Sequence, residues 1–410
     1  MTAMRLTTLE SGLRVASHDM PGLQTAAVGL FADVGSRAEP ASLNGIAHLF
    51  EHMVFKGAGG RSARELSETI EEVGGDLNAA TERDATSFTA TVMAEHVPLA
   101  VELIADMILK PHFDEPDLLR EKDVVLQELA EARDLPSDMV FDDLWAAAFK
   151  GQALGRSILG EESTIGSVAV TDLLHWRNLH YRGEGVTLVA AGNVDHDRLV
   201  GLAEQHFAAL PAGPATGHEP ARFIGGVHHG RHPSEQAQLT LAYPGPSDAA
   251  PDYYAARLFS DVVGSGASSR LFQQVREDRG LAYSVSSTLH PYDDTGLFYI
   301  YAATARGQAA AALRLIEEIV AEAPASITQR ELDRVRTQAR AGLLMSLETP
   351  WGQAHYVARQ LAVHGRLVDP AEVVDALLAV TLDHVREAGA RMIAGPSARA
   401  TIGMPAVRAA

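Results

Sequence analysis

The feature that most restricts what this chain can fold into is a pattern met twice, once on each side of a break rich in proline, glycine and histidine. Before the break, GGDLNAATERDATSFTATVMAEHVPLAVELIADMI runs strand, strand, helix. After it, GLAYSVSSTLHPYDDTGLFYIYAATARGQAAAALRLIEEIV runs the same way at similar lengths. Each copy then continues into a long helical segment, reaching Asp134-Leu135-Pro136 in one half and Glu348-Thr349-Pro350 in the other. Alternating apolar residues mark strands at Thr25–Val34, Thr86–Ala94 and Val186–Val194. Helical spacing covers Leu43–Phe55, Ala63–Val73, Val97–Leu109, Asp114–Asp134 and Val170–Tyr181, with Gly74-Gly75 and Lys110-Pro111 as stop signals. The expected fold class is therefore α+β, as two similarly built domains, each a sheet with helices packed on it. The expected division is a first domain over 1–211, a linker over 212–235 and a second domain over 236–410.

Composition narrows the chemistry. With 410 residues, 46% of them hydrophobic and 21% charged, the chain can bury substantial cores. Lys and Arg number 34 against 53 Asp and Glu, a net charge of −19. Nucleic acid and anionic membrane would both be repelled, so neither is an expected partner. Cysteine is absent, which excludes disulfides, thiolate zinc sites and cysteine nucleophiles. Any metal must be held by histidine and carboxylate.

Such a set occurs at Asn44-Gly-Ile-Ala-His-Leu-Phe-Glu-His-Met-Val-Phe55, where His48, Glu51 and His52 read H-x-x-E-H. On a helix, residues four apart share a face, so both imidazoles can reach one ion, and Glu51 can act on water beside it. This is the zincin motif in reverse order. Two histidines leave a tetrahedral zinc short of a protein ligand, and with no cysteine the third must be His, Asp or Glu. Downstream, Glu121 and Glu128 lie seven residues apart on a helical stretch. They share a face, so one can bind metal while the other orients the site.

These residues give the chain a family resemblance. It resembles the pitrilysin-type zinc metallopeptidases, in the half-size branch that includes mitochondrial processing peptidase and bacterial relatives. The resemblance covers nearly the whole chain and rests on GIAHLFEHMVFKG, GGDLNAATERDATSF, REKDVVLQELAEARDLPSD, LVAAGNVD and SRLFQQVREDRGLAYSV. It implies zinc on His48, His52 and Glu128, with Glu51 as catalytic base and Glu121 as supporting acid. The 75 residues between His52 and Glu128 suit the family spacing. The order His-Leu-Phe-Glu-His departs from the Phe-Leu order of many relatives, at positions that bind no metal. The motif occurs once, so the resemblance implies one zinc per chain and a second domain without metal.

For substrate, the resemblance implies that the strand around Asn78 and Ala79 is an edge on which an extended peptide pairs. It also implies that Arg276 and Tyr283, seven apart in VREDRGLAYSV, contact substrate and support the tetrahedral intermediate. The glycine-rich run Gly264–Arg270 lacks the lysine of a phosphate loop and is read as a loop before the Ser-Arg-Leu-Phe helix. His228, His229 and His232 are read as solvated linker.

The expected function is zinc-dependent endopeptidase, acting on peptides or unfolded segments. The alternative is a non-catalytic binding or scaffold subunit of a processing-peptidase-like complex, since the family includes members that lost the metal. Half-size members close a four-domain clam-shell by pairing subunits. Because this chain carries both the zinc motif and the Arg–Tyr pair, a homodimer is expected, with a heterodimer of related subunits as the alternative. No run of 18 apolar residues is present, and MTAMRLTTLESGLRV lacks the apolar stretch of a secretory signal. The expected location is cytoplasmic, with a mature form already trimmed of a leader left open.

Overall fold

The computed structural model describes residues 4–214 and 216–404. They form two compact units, the first from Met1–Leu129, Ser157–Glu219 and Leu344–Val368, the second from Ala130–Arg156, Pro220–Leu343 and Asp369–Ala410.

The first unit is built on six strands, β1 (Met4–Thr8), β2 (Arg14–Asp19), β3 (Thr25–Ala32), β6 (Asp76–Thr81), β7 (Thr86–Met93) and β8 (Val186–Gly192), with a small hairpin of β4 (Gly57–Ala58) and β5 (Arg61–Ser62) beside them. The sheet order is β1-β2-β8-β3-β7-β6. Only β2 and β8 pair in parallel; the other neighbours are antiparallel. The central strands TAAVGLFA and VTLVAAG are apolar apart from Thr25 and Thr187 because both faces are covered. Val28, Leu30, Leu188 and Ala190 face the main core with α1 (Ile46–Val54), α3 (Val97–Leu109) and the helix Val170–His180. The alternate residues Ala27, Val189 and Ala191 point the other way, against Ala354, Val357, Ala358 and Leu361 of the helix Pro350–His364. Alanine on both sides lets that helix lie close to the sheet. Arg14 fixes its end, donating to the Leu361 carbonyl and to Asp33, each at 3.0 Å. Two further helices complete the labelled set, α2 (Ala63–Glu71) and α4 (Glu115–Asp134).

The second unit holds a five-stranded sheet of β9 (Gly226–Gly230), β10 (Gln236–Gly245), β11 (Ser284–Pro291), β12 (Gly296–Ala305) and β13 (Ala398–Ile402), in the order β11-β12-β10-β13-β9. Only β13 and β9 are parallel. Val140, Leu144, Trp145 and Ala148 of the helix Pro136–Ala148 pack on this sheet against Ala242, Leu297, Ala400 and Ile402. Trp145 Nε1 donates to Tyr292 Oη at 2.5 Å.

Read from one edge, β6-β7-β3-β8-β2 and β11-β12-β10-β13-β9 have the same order and the same directions. Both units are α+β, and the first carries one extra strand, β1. Two details differ from the sequence expectation. Part of the expected linker, Gly226–Gly230 with His228 and His229, is strand β9, the counterpart of β2. The units also do not follow the halves of the chain. Ala130–Arg156 belongs with the second unit and Leu344–Val368 with the first, because the apolar face of each of those helices is buried on that sheet. No helix among the described residues is long and apolar enough to cross a membrane.

Candidate metal centre

Helix α1 buries Ile46, Ala47, Leu49, Phe50, Met53 and Val54, which leaves His48, Glu51 and His52 on its remaining face. Its start is set by Gly45, whose φ of +95° lies in the left-handed region; a Cβ there would come within 2.4 Å of Ile165 Cδ1. The first turn is capped from outside the helix. Glu39 is buried and its carboxylate accepts from Gly45 N and Asn44 Nδ2 at 2.8 Å and from Ala47 N at 2.9 Å. Behind the helix, Phe50 stacks on Tyr181 at 4.8 Å between ring centres and meets Phe113 edge-on at 5.6 Å.

Helix α4 buries Leu118, Glu121, Val125 and Leu129, a stripe at helical spacing in which Glu121 takes a core position. Its side chain is 8% exposed, against 39% for Glu128. The two helices bring their polar residues together. Glu128 Oε2 lies 3.8 Å from His48 Nε2 and 3.5 Å from His52 Nε2. One donor atom from each of these three residues lies within 4.8 Å of the others. His52 Nδ1 is 3.1 Å from Glu121 Oε2. A carboxylate there accepts the Nδ1 proton and leaves the Nε2 lone pair facing Glu128. Glu121 Oε1 is 2.8 Å from Lys56 Nζ. Burial, with His52 beside it, pushes the His48 imidazole down to about 4, so it is neutral near pH 7 and its lone pair is available.

Glu51 stands next to this group. Burial raises its carboxyl above the usual range, while the Thr81 hydroxyl, donating to Oε2 at 2.5 Å, and His52 pull it back. Thr81 ends β6, which pairs with β7 on one side and has no strand on the other among the described residues. On that edge strand Asn78 is exposed and accepts from Ala79 N at 2.9 Å, while Ala79 is half-buried against the core. The five residues His48, Glu51, His52, Glu121 and Glu128 thus converge within the first unit. Sequence reading missed Glu39, Lys56 and Thr81. Lys56 and Thr81 fall inside motifs already quoted, but their partners Glu121 and Glu51 lie 65 and 30 residues away in sequence.

Arg276 and Tyr283 lie in the second unit, close to one another. The Arg276 guanidinium sits 4.6 Å from the Phe272 ring centre and 5.7 Å from that of Tyr283. Tyr283 is 77% exposed, just ahead of β11. The glycine-rich run is tied down at its far end, where Arg270 donates to Glu331 at 2.7 and 2.9 Å and to Ser326 Oγ at 2.6 Å.

The similarity of this chain to known proteins matches that arrangement. Residues 14–162 match the family described as insulinase (peptidase family M16), and residues 167–339 match the peptidase M16 inactive domain. A Rickettsia bellii protein named an uncharacterized zinc protease is 34% identical over 96% of both chains. The beta subunit of mitochondrial-processing peptidase from Lentinula edodes is 34% identical over 93% of this chain and 85% of its own.

The chain belongs to peptidase family M16.

It is a half-size member of the pitrilysin type, and at family level a metallopeptidase. The fold agrees: a protease from Helicobacter pylori superposes with a TM-score of 0.91 at 21% identity, covering 98% of this chain and 100% of that one. The M16 inactive domain from Pseudomonas fluorescens gives 0.92 at 22%, covering 99% and 100%. The single H-x-x-E-H lies within the first matched segment, and the second segment, matched to the inactive domain, has none.

Proposed function

We propose that this M16 protein is a zinc endopeptidase that hydrolyses peptide bonds in peptides and unfolded segments, with Glu51 as its base. The observation that carries the reading is the convergence of one nitrogen each from His48 and His52 and a Glu128 oxygen within 4.8 Å of one another, beside Glu51. Two imidazoles and one carboxylate, with no thiolate in the chain, suit zinc with one position left open. The environment favours the same use, since His48 is held neutral and Glu121 orients His52. Bound zinc would polarise the scissile carbonyl and make water acidic near neutral pH.

The remaining steps belong to the chain's own residues. The Glu51 carboxylate takes a proton from the attacking water and returns it to the leaving nitrogen. Thr81 holds that carboxylate in place through its hydroxyl. The open edge of β6, at Asn78 and Ala79, offers backbone groups to an extended peptide. A folded domain presents no such strand, which accounts for a preference for unfolded segments. Arg276 and Tyr283 support the oxyanion. We further propose a two-fold homodimer in which that pair serves the zinc site of the partner copy.

The test is zinc quantification together with a peptide-library cleavage profile, for wild type and Glu51→Gln. About one zinc per chain is expected in both, with cleavage in wild type alone. A scaffold subunit would cleave nothing in either form, and undiminished cleavage by Glu51→Gln would remove Glu51 from the base role.

A further inference from the structure

Glu121 and Glu128 present the same functional group to the same histidine from opposite sides. His52 Nδ1 is 3.1 Å from Glu121 Oε2, and His52 Nε2 is 3.5 Å from Glu128 Oε2. Something must decide which carboxylate is free to bind metal. The difference between them lies in their partners. Glu121 has both oxygens engaged, Oε2 by His52 and Oε1 by the Lys56 ammonium at 2.8 Å. Glu128, among the described residues, has only the two imidazoles within ion-pair distance.

We propose that Lys56 is a positioning residue that holds Glu121 off the metal, as the partner of His52, and so leaves Glu128 as the carboxylate ligand. This rests on the zinc reading above. A carboxylate only 8% exposed needs a partner for each oxygen, and a cation at 2.8 Å is the strongest available to it. With Lys56 present, turning Glu121 toward a metal would break an ion pair. With Lys56 removed, that carboxylate would be left half-compensated, and a nearby dication would become its best partner. The charge count points the same way. Glu51, Glu121 and Glu128 with Lys56 sum to −2, which a divalent cation cancels.

The backbone under Lys56 is built to hold it there. Lys56 N donates to Met53 O at 3.1 Å, closing the end of α1, and the chain turns at once into the β4–β5 hairpin. That hairpin is pinned to the end of α3 and the residues just after it. Gly59 N donates to Lys110 O and His112 N to Gly57 O, both at 2.9 Å. Arg61 reaches Glu102 at 2.6 Å and Asp106 at 3.2 Å. Gly57, at φ +133°, admits no side chain, since a Cβ would sit 2.5 Å from His112 Nδ1. The lysine stem therefore starts from a fixed point.

The test reads metal affinity rather than turnover. Zinc affinity is measured by competition with a chromophoric chelator for wild type, Lys56→Met, Lys56→Arg, Glu121→Gln and the Lys56→Met/Glu121→Gln double variant. Lys56→Met is expected to bind zinc about 10- to 100-fold more tightly, since a carboxylate freed of its ion pair is added to the metal's ligands. Lys56→Arg, which keeps the cation, should lie within about threefold of wild type, and the double variant should lie close to Glu121→Gln alone. Cobalt bound to Lys56→Met should show a visible spectrum altered from that of wild type, as Glu121 joins the metal. If Lys56→Met does not fold, Lys56→Gln is read in the same way. Unchanged affinity and spectrum on loss of the cation would overturn the proposal, as would an effect that persists in full without Glu121. A wild-type chain that held no zinc would overturn the metal reading first, and this inference with it.

Discussion

Replacing Glu39 by alanine should loosen the metal helix from its first turn. The carboxylate is 3% exposed and accepts hydrogen bonds from Asn44 Nδ2, Gly45 N and Ala47 N, among its partners. Asn44 keeps a second acceptor, the Ser157 carbonyl at 3.0 Å. Gly45 N and Ala47 N would be stranded in the interior, each at a cost of about 1–3 kcal/mol. Loss of the negative charge at the helix start adds roughly 0.3–1 kcal/mol. Together these make opening of the first turn easier by about 2–7 kcal/mol. At about 1.4 kcal/mol per decade, amide hydrogen exchange over Ala47–Met53 should quicken by at least about 30-fold. Exchange of β10, in the other unit, serves as the internal control and should not change. If the α1 amides of Glu39→Ala exchanged within threefold of wild type, the carboxylate would not be what holds the start of this helix.

Thr81→Val keeps the shape of the side chain but removes the donor to Glu51, a bond to a charged group worth about 1.5–3 kcal/mol. Peptidase kcat should fall roughly 10- to 100-fold with zinc content unchanged, whereas equal kcat would mean the hydroxyl does not position the base. Burial, with His175 beside it, pushes the His180 imidazole down to about 4. The unfolded chain takes that proton near 6.5, so stability present above 6.5 is lost as pH falls from there toward 4, by up to about 3 kcal/mol. His180→Leu should flatten the pH dependence of urea unfolding in that window, and an unaltered slope would contradict it. Glu51→Gln and Arg276→Ala/Tyr283→Phe proteins should each be nearly inactive but regain activity when mixed and allowed to exchange subunits. No recovery despite demonstrated exchange would defeat the proposal that the site is completed by a second copy.

The parts of the molecule that could be read in the sequence are those whose determinants are close along the chain. His48, Glu51 and His52 announce a shared helix face by spacing alone, and α1 runs from Ile46 to Val54 inside the expected Leu43–Phe55. The seven-residue spacing of Glu121 and Glu128 likewise places both on one side of α4. Their difference in burial follows from the stripe Leu118, Glu121, Val125, Leu129, a pattern visible to the same reasoning. Contacts between distant segments left no such mark. Nothing local in Thr81 or Lys56 names Glu51 or Glu121 as its partner. The amphipathic helices Pro136–Ala148 and Pro350–His364 show that each must bury a face, but not on which sheet. Strand β9 was hidden for a different reason. Gly226–Gly230 is mostly exposed and has no apolar alternation, so its strand character comes from backbone pairing with β13.

The most direct test of the zinc peptidase reading is reconstitution. The chain is stripped by exhaustive chelation, and zinc is returned in measured steps while cleavage of an unstructured peptide is followed. Activity should vanish on chelation, rise linearly with added zinc and level off at about one equivalent per chain. Full activity in the metal-free protein, or zinc binding at His48, His52 and Glu128 that restored none, would contradict it.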